Sequence, residues 1–527
     1  MIELDGESLT LPQVWTIASG ADRVELSDQA VARVKRSRAA VDEIVNRGDP
    51  VYAVNTGFGC FANREISREQ TRQLNRNLIL SHAAASGDPL DRETVRAAML
   101  IRANTLAKGH SGVRLSILKI LLKMLNRGVT PLVPSQGSLG SSGDLAPLSH
   151  LALVFTKNCP QEGEDLEVHS GRADYLGKTM SGKAAMQAAG IPRVVLESKE
   201  GIALNNGATF SAAAAALSCL EAQNLLSISD IALAMSLESL LGVSSAFDER
   251  IHQARLHPGQ IQAAENIRSL TTGSTLLDSS DQVQDAYSLR CAPQVVGPIR
   301  ETLAFLWKII EREINAATDN PLLFEEGEAI SGGNFHGEPI GLAMDYLAIA
   351  LTELAGIAER RIFRLTDASL NAGLPTMLVG EEAEAGLNSG MMLPQYTAAS
   401  LVLENRTLSN PDTVHSLPTS ANQEDHNANS FTAAIHANQV VKNTTRVLAI
   451  ELYCAARALT LRLKSQPDLQ PGVGTAAALA FIRRQVPYQA SDTLWGPEID
   501  RVEQMIKDRT LSRAVSESLQ SAGLRLH

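Results

Sequence analysis

Three long apolar stretches constrain the fold of this 527-residue chain more than any other feature. Residues 210–243, 338–366 and 431–464 each run for about thirty residues, are rich in Ala, Leu, Ile and Glu, and have no proline in their interiors. Helices this long and this apolar on most faces exceed the usual globular range. We expect a mainly α protein whose long helices form a bundle and are covered by neighbouring helices, including helices of other subunits.

The rest of the chain is organised around that bundle. We expect one domain over residues 1–527, with a loop-rich N-terminal active-site region at about 1–200, the long-helix bundle at about 200–464, and C-terminal loops and helices at about 465–527. Strand-like alternation is scarce, and no repeat of solenoid period is present. The loops of the N-terminal region are therefore the expected place for chemistry.

Two segments predict interruptions of the helical pattern. Residues 160–180 are polar and contain glycines, which indicates a loop or hairpin between two helical blocks. Residues 465–498 contain four prolines, which predicts a loosely packed section before a short terminal helical part near 499–520.

Charge and cysteine content argue against several classes of protein. The net charge of −11 and the isoelectric point near 5.6 argue against nucleic acid as a partner. The five cysteines are far apart and odd in number, which fits a reducing cytoplasm better than a disulfide framework. The acidic N-terminus shows no secretory signal, and carboxylates interrupt the longest apolar stretches, so we expect a soluble cytoplasmic protein without a membrane span.

Ser141-Ser142-Gly143, in a glycine- and serine-rich run, is the segment with the most distinctive chemistry. A glycine amide directly after a serine can attack the carbonyl carbon of the residue before that serine, because glycine reaches strained geometries cheaply. Loss of water from the ring and from the serine then leaves an imidazolone with an exocyclic methylene, which is a strong electrophile. Such runs are commonly turns, but an apolar segment that predicts a helix follows this one at once.

Together with the motifs described next, this loop resembles the prosthetic-group loop of the aromatic amino acid ammonia-lyases and aminomutases, most closely that of the histidine-specific branch. The resemblance implies 4-methylideneimidazol-5-one, formed autocatalytically from Ser141-Ser142-Gly143, with no metal and no nucleotide. The usual triad of that family begins with alanine. Ser141 departs from it and should add only a hydroxymethyl branch, because Ser142 still supplies the methylene and Gly143 the attacking nitrogen.

Two further motifs imply catalytic residues. Tyr52-Ala-Val-Asn-Thr-Gly-Phe-Gly59 resembles the family's catalytic tyrosine loop, and a phenol with a pKa near 10 needs a nearby cation or fixed donors to act as the base. Leu204-Asn-Asn-Gly207 resembles the segment whose asparagine, here Asn206, contacts the prosthetic group and the substrate carboxylate. Its neighbours Asn205, Ala208 and Thr209 depart from the usual Leu, Thr and Gln.

The segment from Gln284 to Gln294 resembles the family's carboxylate-binding segment. The guanidinium of Arg290 would suit bidentate capture of an amino acid carboxylate. Gln284, Tyr287 and Arg290 recur at a spacing of three, which predicts that successive positions share roughly one helical face. The resemblance implies substrate binding by Gln284 and Arg290, and a catalytic role for Tyr287 and Arg290.

Four residues would form the pocket for the substrate ring. The resemblance implies that Phe335 walls the pocket and that Met392 lies along the ring. His82 and Glu424 lie in Leu80-Ser-His-Ala83 and Gln423-Glu-Asp-His426, which have the form typical of the histidine-specific branch. A carboxylate accepts a hydrogen bond from an imidazole N–H, whereas burying it unpaired beside a phenyl ring is costly.

The sequence therefore predicts non-oxidative elimination of ammonia from an aromatic L-amino acid, with histidine giving trans-urocanate. The alternatives are tyrosine as the substrate, a 2,3-aminomutase that re-adds ammonia at the β-carbon, and a helical assembly protein without catalysis, which would leave the Ser-Ser-Gly loop unexplained. Attack by the substrate ring on the methylene is a variant of the mechanism that stays open. The resemblance also implies a homotetramer whose active sites combine residues of different chains.

Overall fold

The computed structural model describes residues 1–48, 50–159, 163, 165–324 and 328–527. Short strands and helices alternate in the N-terminal part. These elements are β1 Ile2–Leu4, α1 Leu11–Ala18, β2 Val24–Leu26, α2 Asp28–Arg47, α3 Thr71–His82, β3 Ser86–Pro89, α4 Arg92–Ala107, α5 Leu115–Arg127, β4 Val129–Pro131, β5 Pro134–Gln136, α6 Leu145–Phe155, β6 Arg172–Tyr175, β7 Lys178–Ser181 and α7 Gly182–Ala188.

Helices predominate in the rest of the chain. These elements are α8 Glu200–Asn205, α9 Thr209–Ser239, α10 Glu249–Arg255, α11 Pro258–Leu270, α12 Tyr287–Arg290, α13 Ala292–Glu313, β8 Leu322–Leu323, β9 Ala329–Ile330, α14 Glu338–Thr366, α15 Met392–Leu408, α16 Ser430–Ser465, α17 Val473–Gln485, α18 Trp495–Lys507 and α19 Thr510–Ser521.

The three long helices predicted from the sequence are present as α9, α14 and α16, and the mainly α fold is confirmed. Helix α9 shows why such a sequence needs a bundle. All of its side chains are buried except Glu221, Gln223 and Ser227, which retain some exposure. A helix buried on every face requires no polar side, and its apolar residues therefore form no single stripe.

The contact pattern divides the chain into two compact units. The first contains Met1–Ser218, Trp307–Asp345 and Pro411–Ile435, and in it α1 packs on α4 while α3 and α8 pack on α6. The second contains Cys219–Leu306, Tyr346–Asn410 and His436–His527, and in it α17 packs on α19 and α11. The expected single domain over 1–527, with its three regions, stays a prediction.

A buried ion pair joins two long helices within the second unit. Arg361 of α14 and Glu451 of α16 are both fully buried, and Nη2 of Arg361 donates to Oε2 of Glu451 at 2.8 Å. The Ser236 hydroxyl of α9 donates to Oε1 of the same carboxylate at 3.0 Å. Because a buried charge is costly unless it is paired and hydrogen-bonded, these contacts fix how the three helices meet.

The strands form small sheets among the described residues. β1 and β2 pair in parallel, with Ile2 opposite Val24, and β4, β6 and β7 form an antiparallel sheet. β6 and β7 make a hairpin in which Arg172 lies opposite Ser181. This hairpin begins inside the interruption predicted at 160–180, of which residues 160–162 and 164 lie outside the described part of the chain.

The structure corrects the expectation of a loosely packed section at 465–498, because α17 lies inside it. The prolines flank this helix and do not interrupt it. Pro467 and Pro471 precede its first residue and Pro487 follows its last, positions where a missing N–H interrupts no helical hydrogen bond. The terminal helical part predicted near 499–520 is present as α18 and α19.

The expected helical face of Gln284, Tyr287 and Arg290 is wrong, because α12 contains only Tyr287–Arg290. Gln284 precedes this single turn and is exposed. The segment before α12 is held by Asp285, whose carboxylate accepts from the N–H of Val243 at 2.7 Å. The carbonyl of Asp285 also accepts from Nε of Arg290 at 2.8 Å, so these two groups bond across the start of the turn.

Among the described residues, one helix, α14, is long and apolar enough by length and composition to cross a membrane. Within its most apolar window, 61% of the residues are buried inside the protein. The core helix of a bundle shows the same combination of length, hydropathy and burial.

Candidate active site

A cavity of about 1000 Å³ in the first unit brings together most of the residues singled out from the sequence. Its walls come from the Tyr52 loop, α3, the Ser141 loop, α8, the segment before α14, and the Glu424 loop. The predicted site residues that line it are Tyr52, His82, Ser141, Ser142, Asn206, Phe335 and Glu424. The structure therefore places a partly enclosed pocket with both polar and apolar walls around Ser142.

Two glycine backbones touch behind Ser142. Gly143 has a φ of +76°, a conformation that favours glycine, and it pairs in parallel with Gly207. A Cβ on Gly143 would lie 2.1 Å from the carbonyl carbon of Gly207. Gly207 has a φ of +114°, and a Cβ there would lie 2.5 Å from Oγ1 of Thr318. Only glycine fits at either position.

The close approach gives the Ser142 carbonyl oxygen two N–H donors. Nδ2 of Asn206 donates to it at 2.7 Å, and the backbone N–H of Gly207 donates at 3.2 Å. Oδ1 of Asn206 is buried and has no hydrogen-bond partner among the described residues. A pair of fixed donors favours negative charge on the oxygen that they share.

Arg102 of α4 holds the segment that carries this pair of donors. Its side chain is fully buried, and its Nη2 donates to the carbonyl of Asn206 at 2.8 Å and to Oγ1 of Thr209 at 2.5 Å. Burial lowers the pKa of the Arg102 guanidinium to about 10, and it stays charged at neutral pH. A cation at the carboxyl end of α8 suits the free carbonyls of that helix.

Asp144 fixes the other end of the loop. It is fully buried, and its carboxylate accepts from the hydroxyls of Ser138 at 2.8 Å and Ser211 at 2.9 Å and from the N–H of Ser211 at 2.8 Å. Burial raises the pKa of the Asp144 carboxyl, and these hydrogen bonds act against that rise. Asp144 therefore joins the Ser141 loop to the first turn of α9.

Glu424 faces the two serines from the opposite wall. Its Oε2 accepts from the Ser141 hydroxyl at 2.6 Å, and its Oε1 accepts from the Ser142 hydroxyl at 2.7 Å. Residues 420–422 all have positive φ, of 52°, 53° and 64°, which is uncommon outside glycine. An antiparallel bridge between Thr419 and Glu424 closes this left-handed turn and aims the carboxylate at the serines.

Tyr52 lines the cavity and packs against Ala53, Leu78 and Ile202. Its hydroxyl oxygen accepts from the N–H of Gly59 at 3.3 Å. This backbone N–H is a fixed donor of the kind that a phenol needs to act as a base. The motif residue Phe58 packs on the same cluster. The Gly-Phe-Gly turn therefore holds both the ring and the hydroxyl of Tyr52.

His82 ends helix α3 at the cavity, and its Nδ1 lies 3.0 Å from the Ser81 hydroxyl. Burial lowers the pKa of the His82 imidazole, while the charge of Glu424 acts in the opposite direction. The ring is therefore neutral at neutral pH and can donate or accept a hydrogen bond. Phe335 lies on the wall beside His336, whose ring stacks on His426 with centroids 6.0 Å apart.

Four predicted site residues belong to the second unit and are not among the residues that line this cavity. Tyr287 is 70% exposed, and the Arg290 guanidinium lies over its ring at 4.7 Å. Gln284 and Met392 are also exposed. Asn205, where the sequence departs from the usual leucine, is fully buried and donates to the Ser149 hydroxyl of α6 at 3.2 Å, so this departure leaves the cavity lining unchanged.

Sequence reasoning missed Arg102, Ser138 and Ser211, which hold the loop without lining the cavity. A lone arginine within a helix gives no local signal of burial, and serines in turns are common. Among the described residues, no group of three or more His, Cys, Asp or Glu side chains is placed to hold a metal ion.

The sequence model of the aromatic amino acid lyases matches residues 9–484. The histidine ammonia-lyase of Natranaerobius thermophilus is 45% identical over 99% of both chains, and that of Gloeobacter violaceus is 48% identical over 97% of both. Among solved structures, the histidine ammonia-lyase of Trypanosoma cruzi has a TM-score of 0.88 at 38% identity and covers 98% of this chain and 95% of its own. The tyrosine aminomutase of Streptomyces globisporus has a TM-score of 0.90 at 34% identity over 98% of both chains.

These matches define an enzyme class, the carbon–nitrogen lyases. Within it, the chain belongs to the aromatic amino acid lyase family, because the family match spans most of its length and relatives above 45% identity cover nearly all of it. The resemblance seen in the sequence motifs is confirmed.

We expect Gly143→Ala to destabilise the protein more than Gly177→Ala. Both glycines have a φ of +76°, but a Cβ at Gly177 has no atom within 4 Å, whereas at Gly143 it meets the Gly207 backbone. The left-handed conformation alone costs about 1–2 kcal/mol, and overpacking adds about 1–3 kcal/mol at Gly143 only. Denaturant unfolding measures both free energies, and equal losses would contradict the close approach of Gly143 and Gly207.

Proposed function

We propose that the protein eliminates ammonia from L-histidine and releases trans-urocanate. One observation carries the proposal: the Glu424 carboxylate lies 2.7 Å from the Ser142 hydroxyl in a cavity that neutral His82 also lines. An imidazole N–H can donate to that carboxylate, whereas a phenyl ring offers it no donor. The identity of 45–48% to histidine ammonia-lyases supports the same substrate.

We propose that Ser141-Ser142-Gly143 cyclises to 4-methylideneimidazol-5-one. The residues present fit this group, because Gly143 occupies a backbone conformation and a space that no side chain could enter, and Asn206 and Gly207 hold the Ser142 carbonyl oxygen. The unpaired Oδ1 of Asn206 leaves an acceptor for a substrate amine. When formed, the group supplies an electrophilic methylene that takes up the substrate amine and makes the nitrogen a better leaving group.

The residues of the chain perform the remaining tasks. The donors from Asn206 and Gly207 favour negative charge on the Ser142 oxygen. Tyr52 removes a proton from the β-carbon of the substrate, with its hydroxyl oxygen fixed by the N–H of Gly59. Asn206 contacts the substrate carboxylate, and the fork of Arg290 captures it with paired donors.

We propose a homotetramer in which Gln284, Tyr287, Arg290 and Met392 reach the site of another copy of the chain. None of the four lines the cavity that holds Ser142, and Tyr287 is largely exposed. Exposed apolar side chains on α14 and α15 support burial against other subunits. These side chains are Leu342, Tyr346, Ile349, Leu393, Tyr396 and Leu403.

A 2,3-aminomutase is the second candidate, because the tyrosine aminomutase of Streptomyces globisporus has the same fold at 34% identity. The two reactions need the same groups around Ser142 and differ in whether ammonia leaves or returns at the β-carbon. Chiral analysis of the products from histidine separates them, since β-histidine marks the mutase and urocanate the lyase. We further propose that the enzyme acts in the cytoplasm, which the free thiols of Cys219, Cys291 and Cys454 support.

Ser142→Ala should prevent formation of the prosthetic group, because Ser142 is the residue that supplies the methylene. We expect the wild-type protein to be lighter than its sequence by two waters and to absorb above the protein band. Ser142→Ala should have its full sequence mass, no such band and almost no turnover. Ser141→Ala is the control and should retain the mass deficit and the band. A wild-type protein at its full sequence mass would refute the cyclisation.

Glu424→Gln should lower kcat/KM for histidine by about 10–150-fold, which corresponds to a lost hydrogen bond to a charged group. Slow turnover of tyrosine or phenylalanine should be unchanged or improved, because those rings do not donate to the carboxylate. Asp425→Asn is the matched control, since Asp425 is the next acid along the chain and lines the same cavity. A wild type that prefers tyrosine, or an equal loss on all three substrates, would show that the pocket is not built for imidazole.

Tyr52→Phe and Arg290→Ala chains should each be inactive alone and should regain activity when they are co-expressed. If each site takes Tyr52 from one chain and Arg290 from another, about a quarter of the sites in random tetramers carry both native residues. Tyr52→Phe with Glu424→Gln is the control pair, because these residues line one cavity and no mixed site restores both. Light scattering verifies assembly, and an active monomer would contradict the shared site.

A further inference from the structure

The hydroxyl of Ser141 makes a contact that the usual alanine could not make. It donates to Oε2 of Glu424 at 2.6 Å, and Ser141 is only 5% exposed. The other hydroxyl near this oxygen is Oγ1 of Thr419, at the longer distance of 3.4 Å. Within the described contacts, Ser141 is therefore the closest donor to Oε2.

The two serine contacts of Glu424 have different fates on ring formation. The ring takes in the carbonyl carbon of Ser141 but leaves its side chain intact, whereas the hydroxyl of Ser142 departs as water. Oε1 of Glu424 then loses the donor that it has at 2.7 Å. Oε2 keeps the Ser141 hydroxyl, whose oxygen takes no part in the cyclisation.

We propose that Ser141 is a positioning residue that sets the ring specificity of the site through Glu424. The proposal rests on the function proposed above. The terminal torsion of a glutamate is broad, so one oxygen must be fixed before the other has a defined direction. The Ser141 hydroxyl fixes Oε2, and Oε1 is left free to accept from an N–H of the substrate ring.

As a consequence, the site prefers imidazole to phenyl rings more strongly than it would with Glu424 and an alanine at position 141. With alanine at position 141, the carboxylate can turn, and part of its hydrogen bond to the substrate is lost to water. A single hydrogen bond contributes modestly when water can replace it. Ser141 thus tunes selectivity without taking part in bond making or breaking.

The test is a double-mutant cycle on the full-length enzyme with Ser141→Ala, Glu424→Gln and both together. Absorbance of the imidazolone and the intact mass report whether each variant matures. Steady-state kinetics with histidine and phenylalanine give the effect on each ring. Calorimetric titration with 3-(imidazol-4-yl)propionate and with 3-phenylpropionate measures ring recognition without turnover.

We expect Ser141→Ala to mature normally and to lower kcat/KM for histidine by about 3- to 10-fold, mainly through KM, because the contact exists before the chemical step. Affinity for imidazolylpropionate should fall by a similar factor, while phenylpropionate binding and phenylalanine turnover stay constant. In the Glu424→Gln background, Ser141→Ala should change each quantity by less than about twofold, because the residue acts through the carboxylate.

Equal losses with both ring types, or the same loss in both backgrounds, would overturn the proposal. If Ser141→Ala fails to mature, the two propionates decide it in the Ser142→Ala background, with and without Ser141→Ala, because neither protein then carries the ring or the Ser142 hydroxyl that occupies Oε1 of Glu424. Failure of the proposed function is a separate result, in which the wild type does not deaminate histidine although its imidazolone is present.

Discussion

The contact between the backbones of Gly143 and Gly207 is the constraint on which the rest of the site depends. A side chain on Gly143 would lie within 2.1 Å of the Gly207 backbone. Only this approach lets Asn206 and Gly207 both donate to the Ser142 carbonyl oxygen, at 2.7 and 3.2 Å. It also sets Ser142 at the cavity, facing Glu424. The chemistry of the loop therefore depends on two missing side chains as much as on those that are present.

Buried charges keep this arrangement rigid without pairing directly with each other. The Asp144 carboxylate accepts from serine hydroxyls and a backbone N–H, and the two Nη atoms of Arg102 donate to carbonyls and a threonine hydroxyl. Their opposite charges favour the ionised state of each other through space. Each charge thus orders one segment around the loop, Asp144 the start of α9 and Arg102 the end of α8. A preorganised polar environment of this kind is what stabilises developing charge in an enzyme.

The residues for the proposed reaction fall into two groups along the chain. Those that surround Ser142 belong to the first unit, whereas the carboxylate-binding segment and Met392 belong to the second. In the second group, Gln284, Tyr287 and Met392 are exposed, and Arg290 is half-buried. The homotetramer proposed above would account both for the exposed apolar side chains on long helices and for the exposed site residues.

The sequence by itself determined the long helices, the reactive triad and the tyrosine loop, because each depends on residues close together in the chain. Long apolar stretches without a proline beyond their first turn favour helices locally, and the proposed reaction of Ser142 and Gly143 would use adjacent peptide bonds. Only the tertiary structure decided the rest. The contact of Ser141 with Glu424 joins residues 283 positions apart and depends on a left-handed turn at 420–422, in which neither Ser420 nor Ala421 favours a positive φ. The contact of Arg102 with the Asn206 carbonyl joins residues 104 positions apart, so the sequence gives no local sign of it. Gln284 lies outside α12, and the neighbouring Asp285 carboxylate accepts from the N–H of Val243. Local periodicity determines where helices form, but contacts between distant segments depend on how those helices and the loops between them pack.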